Sequence, residues 1–139
     1  MGCFKDAAEL YKCLGALFDT VAKDPDLGPK LASAGMVIRF DYKDPEAQIT
    51  IDTKNSPTIA GQFFTLYYGH GSTELQPKVL MTMKADVGHS FSLGKVDLVN
   101  ALTRRQIVAV GPIAKVLKLL PIIKPTYQMY PAILKQIGY

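Results

Sequence analysis

The order of hydrophobic periods along the chain predicts an α+β fold, a largely antiparallel sheet with helices packed on one side. Three observations carry this. The chain opens on a long stretch of helical spacing. Four stretches of strand spacing then follow one another with only turns between them. Helical spacing returns in the last third, interrupted by one short β-rich run.

The first element is the clearest. Ala7, Leu10, Tyr11, Leu14, Leu17, Phe18 and Val21 fall at i, i+3, i+4, i+7, the apolar stripe of an amphipathic helix. Asp6 and Glu9 form a capping pair at its start, and Asp24-Pro25 stops it, because a residue before proline disfavours the helical region. A short helix from about Asp26 to Ala34 follows, with Gly35 as its C-terminal cap.

The period then changes to two. Met36, Ile38, Phe40 and Tyr42 alternate with Val37, Arg39 and Asp41, and after the turn Asp44-Pro45-Glu46 the residues Ala47, Ile49 and Ile51 alternate with polar ones. These two runs read as a hairpin. Phe63 to Tyr68 is a third strand ended by Gly69-His70-Gly71, and Val79 to Lys84 is a fourth. Helical spacing between Phe91 and Leu102 predicts one helix there, with His89-Ser90 capping it. Gln106 to Val110 is a fifth strand closed by Gly111. Pro112 suits the first turn of a helix carrying Ile113, Val116, Leu117 and Leu120, and Tyr127, Tyr130, Leu134 and Ile137 mark a last one.

At 139 residues and 15.2 kDa, with 48% hydrophobic and 20% charged residues, the chain fits a single domain over residues 1–139 with a real core. No apolar run reaches the roughly 20 residues that span a bilayer. The start Met1-Gly2-Cys3-Phe4-Lys5-Asp6 lacks the apolar core of a secretory signal, and Asp6 stands where a myristoylation pattern wants Ser or Thr. Cys3 and Cys13 make a poor disulfide framework; Cys13 falls on the buried stripe of the first helix and reads as a core thiol. The expected location is the cytoplasm.

The net charge of +4 is unevenly spread. After Asp97 there is no Asp or Glu, so the last stretch, with Arg104, Arg105, Lys115, Lys118, Lys124 and Lys135, holds +6, against −2 for the first 97 residues. A basic, greasy C-terminal third fits an anionic membrane surface or an anionic ligand head group. Arg104 and Arg105 have the chemistry to grip a phosphate or carboxylate, though a solvated loop explains them too. Nucleic acid is not expected as a partner, because no aromatic stacking motif accompanies the basic residues.

Motifs for chemistry are missing. There is no nucleophile elbow, phosphate-cradling loop or dinucleotide fingerprint, and two His and two Cys far apart do not make a metal site. His70, between two glycines, and His89 each have the chemistry of a general base but no sequence neighbour to orient it. The chain is therefore read as non-catalytic, without cofactor or metal. The segment Ile113 to Ile123 is apolar nearly all round, unlike an ordinary surface helix. It is buried on both sides, covers a bound lipid, or docks on a membrane or a partner.

The second half of the chain resembles the sterol carrier protein-type lipid-transfer domain. The likeness runs from Val79 to Lys84 through Leu93-Gly94-Lys95-Val96-Asp97-Leu98-Val99-Asn100-Ala101-Leu102, the strand Ile107-Val108-Ala109-Val110-Gly111 and the helix Ile113-Ala114-Lys115-Val116-Leu117-Lys118-Leu119-Leu120. The first helix and hairpin agree in order. Arg104-Arg105-Gln106 departs from the family's Gly-Lys-Leu at the start of the last strand, and the helix after Pro125 is longer. The resemblance implies a five-stranded sheet covered by helices, with an apolar tunnel between them for a sterol, fatty acid, acyl-CoA or phospholipid. By alternation and helical face, the lining is expected from Phe64, Leu66, Met81, Met83, Phe91, Leu102, Val108, Ile113, Leu117 and Leu120. Arg104, Arg105, Lys115 and Lys118 are the expected head-group or membrane contacts. The competing reading is an accessory subunit of a lipid-metabolising enzyme that docks through the Ile113–Ile123 segment. Oligomeric state is not legible.

Overall fold

The computed structural model describes residues 3–139; the Met1-Gly2 start, and with it the myristoylation reading, lies outside the described residues. Helix α1 (Ala7–Lys23) begins as its capping pair predicts. The Asp6 carboxylate accepts the Glu9 N–H at 2.9 Å, and the Glu9 carboxylate accepts from Lys5 N at 3.2 Å. Its buried stripe includes Leu10, Cys13, Leu14, Leu17 and Val21. Helix α2 (Leu27–Ala32) is short and ends ahead of Gly35, which takes φ 63°, a region costly for side chains with a Cβ.

Five strands form one sheet in the order β3-β2-β1-β4-β5. They are β1 (Val37–Lys43), β2 (Ala47–Asp52), β3 (Thr65–Tyr68), β4 (Val79–Lys84) and β5 (Ile107–Val110). Four of the expected strands keep nearly the expected bounds; β3 starts at Thr65 rather than Phe63. The sheet is mostly antiparallel, with one exception that alternation does not show. β1 and β4 pair parallel, Phe40 facing Met81 and Tyr42 facing Met83. The chain leaves β3 at one edge and returns to the middle of the sheet through residues 69–78, because β1 still has an open edge there. Arg39 on β1 ties that crossing segment down, its guanidinium donating to the Leu75 carbonyl at 2.7 Å and to Thr50 Oγ1 at 3.2 Å.

One face of the sheet is apolar and covered by helices. Ile38, Phe40 and Tyr42 of β1 lie beside Ile49 and Ile51 of β2, Met81 and Met83 of β4, and Ile107 of β5. Helix α1 packs over β2 and β3; the Tyr68 hydroxyl reaches Asp19 Oδ1 at 2.8 Å and the Gly15 carbonyl at 3.1 Å. The Tyr11 hydroxyl accepts from Gln48 N at 3.0 Å.

The single helix expected between Phe91 and Leu102 is two helices, α3 (Ala85–Ser92) and α4 (Leu98–Thr103). α3 starts directly from β4 with no side-chain cap, so His89 and Ser90 lie inside it rather than capping it. Gly94, at φ 78°, separates the two, and Asp97 caps α4 by accepting from Asn100 N at 3.0 Å. The greasy segment is likewise broken into α5 (Ile113–Leu117) and α6 (Leu120–Ile123), followed by α7 (Thr126–Gln136). Pro121 sits in the first turn of α6, where its missing N–H costs nothing, and no residue of α6 is fully buried. No helix among the described residues is long and apolar enough to cross a membrane. Cys13 is buried and Cys3 exposed, both as free thiols.

Candidate functional site

Between the apolar face of the sheet and the helices lies a cavity of about 100 Å³. Its floor is the sheet: Ile38, Phe40 and Tyr42 from β1, Ile51 from β2, Met81 and Met83 from β4, and Ile107 from β5. Leu17, Phe18 and Val21 of α1 and Leu31 of α2 close one side. Gly88, Phe91 and Ser92 of α3 and Leu98 of α4 close the other. The cover comes from the greasy segment: Val116 of α5, Leu119 between the helices, Ile123 of α6, and Thr126 at the start of α7.

No lining side chain carries a charge. The wall is aliphatic and aromatic, with Phe40 stacked between Phe18 and Tyr42 at ring separations of 5.7 and 6.2 Å. Its polar side chains, those of Tyr42, Ser92 and Thr126, carry hydroxyls. Ser92 Oγ donates to the Gly88 carbonyl of its own helix at 2.9 Å and Thr126 Oγ1 to the Ile123 carbonyl at the end of α6 at 2.6 Å, so both protons are spent on backbone carbonyls. Tyr42 is only 4% exposed and its hydroxyl has no hydrogen-bond partner among the described residues. Gly88 is a close-approach position. A Cβ there would stand 2.7 Å from Tyr42 Cε1 and 3.5 Å from Met83 Sδ.

Of the ten apolar positions expected at the lining, Met81, Met83 and Phe91 line this cavity. The other seven lie elsewhere, for identifiable reasons. On β5 it is Ile107 that points to the helices, so Val108, one residue on, takes the opposite face and is 43% exposed. Leu66 is on the inner face but at the far edge of the sheet, opposite Ile51. Phe64 precedes β3 and is fully buried in the core. Leu102 is half-buried at the end of α4. Ile113, Leu117 and Leu120 are half-buried, because the broken helix presents Val116 and Leu119 to the cavity instead. The contributions of Leu17, Phe18 and Val21 were missed as site residues although the periodicity places them on the buried stripe of α1; nothing in a stripe marks which core residues border empty space.

Arg104, Arg105, Lys115 and Lys118 are all exposed, the first two in the turn between α4 and β5 and the other two on and just after α5. Among the described residues the ion pair present is Lys30–Asp26, which leaves these four unpaired. The two histidines lie apart from the cavity wall. His70 is exposed in its turn. His89 is half-buried, with Nδ1 2.8 Å from the Tyr130 hydroxyl and its ring edge-on to Phe4. No group of His, Cys, Asp and Glu among the described residues is arranged to hold a metal ion.

No protein-family model matches the chain, and a search of curated proteins also finds no match. Solved structures do match. Sterol carrier protein 2 from Yarrowia lipolytica superposes with a TM-score of 0.63 at 16% identity, over 82% of this chain and 89% of that one. The sterol carrier protein domain 2 of Helicoverpa armigera gives 0.62 at 16% identity, over 92% and 94%. Palmitated SCP2L2 from Aedes aegypti gives 0.58 at 17% identity, over 81% and 92%. At such low identity the likeness establishes architecture, and it extends over most of both chains: this chain has a sterol carrier protein 2-like fold.

Proposed function

We propose that this chain binds an apolar, lipid-like molecule between its sheet and its helices, and performs no chemistry of its own. One observation carries the reading: the internal cavity has a wholly uncharged, almost wholly apolar wall drawn from both layers of the fold. Each methylene moved from water to such a site contributes about 0.8 kcal/mol, so a chain of ~12 offers roughly 10 kcal/mol before the costs of binding. A lipid class is also consistent with the fold, one of whose solved examples carries palmitate.

The cavity must widen to accept such a molecule. An apolar cavity of ~150 Å³ holds benzene, and this one measures about 100 Å³. The cover formed by α5 and α6 is the part that yields, since Val116 and Leu119 are its only fully buried side chains. The same segment carries exposed Lys115, Lys118 and Lys124 on its outer side and lies in the acid-free stretch. With Arg104 and Arg105 it provides contact to an anionic membrane surface or ligand head group, so that lid and docking surface coincide.

Native mass spectrometry of the purified protein, with displacement of a bound fluorescent fatty acid, tests the reading. A co-purified or displaceable lipid at one per chain is expected; a protein that retains none and displaces no probe contradicts it.

A further inference from the structure

We infer that Tyr42 is a specificity-determining residue, whose hydroxyl receives the one hydrogen-bonding oxygen of a neutral ligand such as an alcohol, ketone or ester. The inference rests on the apolar-ligand reading above and deepens it. The hydroxyls of Tyr11, Tyr68 and Tyr130 are engaged, by Gln48 N, by Asp19 and Gly15, and by His89 respectively. Tyr42 differs. It lines the cavity, is 4% exposed, and has no hydrogen-bond partner among the described residues.

A buried hydroxyl with neither partner nor open space is expensive. Among the described residues the sealed side-chain atom without a partner is Gln62 Oε1, not the Tyr42 oxygen. The Tyr42 oxygen therefore borders open space, and the space this side chain lines is the cavity. Burial drives its ionisation far above the ordinary phenol range, which keeps the proton available for donation.

Charge decides the rest of the ligand's chemistry. With no Lys, Arg or His in the wall, a carboxylate or phosphate drawn in to Tyr42 would be an unpaired buried ion, far costlier than one hydrogen bond returns. A neutral oxygen asks only for a donor. Ser92 and Thr126 have given their protons to backbone carbonyls, so Tyr42 is the donor left in the wall. An ionised head group stays outside, toward the exposed lysines.

The test is competition against the neutral fluorescent probe N-phenyl-naphthylamine, in the unmodified protein and in Tyr42→Phe, which keeps the ring and removes the oxygen. Three competitors of matched shape are used: phenylhexanol, hexylbenzene and phenylhexanoate at neutral pH. Tyr42→Phe should weaken phenylhexanol about fivefold, the effect of one hydrogen bond, while hexylbenzene and phenylhexanoate hold their affinities. The unchanged hexylbenzene arm also reports an intact cavity. Loss shared equally by all three, or no loss for the alcohol, overturns the inference while leaving the apolar-ligand reading standing. If the probe never binds the unmodified protein, both fall.

Discussion

His89 Nδ1 and the Tyr130 hydroxyl stand 2.8 Å apart, and this contact ties α3, which walls the cavity, to α7, which packs on α1. Burial is the main reason the His89 imidazole titrates below its ordinary value of 6.5; Asp86 pulls the other way and Lys95 adds to the lowering. A folded state that disfavours the proton is fully stabilised above the unfolded pKa and loses that stability as pH falls from there through the lower folded pKa. Urea midpoints should therefore drop as pH falls below the ordinary imidazole value of about 6.5, before most carboxylates titrate. In His89→Gln that drop should shrink, with about 1 kcal/mol lost at neutral pH for the broken hydrogen bond. An unchanged pH slope would show that His89 does not titrate this way.

Gly88→Ala separates packing from helix propensity. In an open helical position the exchange should gain up to about 1 kcal/mol. Here the new Cβ meets the Tyr42 ring at 2.7 Å, and overpacking costs about 1–3 kcal/mol. Chemical denaturation should show net destabilisation, and tight binding of apolar probes should weaken as Tyr42 shifts into the cavity. A stabilised variant would mean that α3 moves away freely.

Charge reversal at Lys115 and Lys118 addresses the outer face of the lid. Each basic side chain near an anionic bilayer contributes about 1 kcal/mol. Lys115→Glu/Lys118→Glu should lower partitioning onto vesicles of phosphatidylserine and phosphatidylcholine by at least about tenfold, and flatten its salt dependence. Both side chains are exposed, so thermal stability should hold. Equal partitioning would move the contact to another surface.

Much of this fold is legible along the chain because it is built from local periods. The α1 stripe, the β1–β2 hairpin, β4 and β5 follow from spacing and from turn residues such as Asp44-Pro45. The parallel β1–β4 pairing is not, since the spacing of β1 and β4 is the same whichever neighbour each takes. Helix α3 is hard to see because it follows β4 without a polar cap, while Gly88 interrupts its apolar stripe for a contact made only in three dimensions. The cavity was the least legible feature. Met81, Met83 and Phe91 were reachable by alternation and helical spacing, whereas Val108 shows how a one-residue phase choice on a four-residue strand reverses the face. Alternation places Tyr42 on the same strand face as Ile38 and Phe40, and nothing in that spacing marks its hydroxyl as one without a partner among the described residues.

The central claim is that an apolar ligand occupies the space between sheet and helices. The chain has no tryptophan, so Phe91→Trp places a single reporter in the cavity wall, and Val99→Trp places one on a surface that is 51% exposed. Titration of each with dibrominated stearic acid, whose bromines quench indole only at close range, reads the ligand's position directly. The account predicts saturable quenching at one ligand per chain in Phe91→Trp and little in Val99→Trp. Equal quenching at both positions, or none at Phe91→Trp, would contradict it.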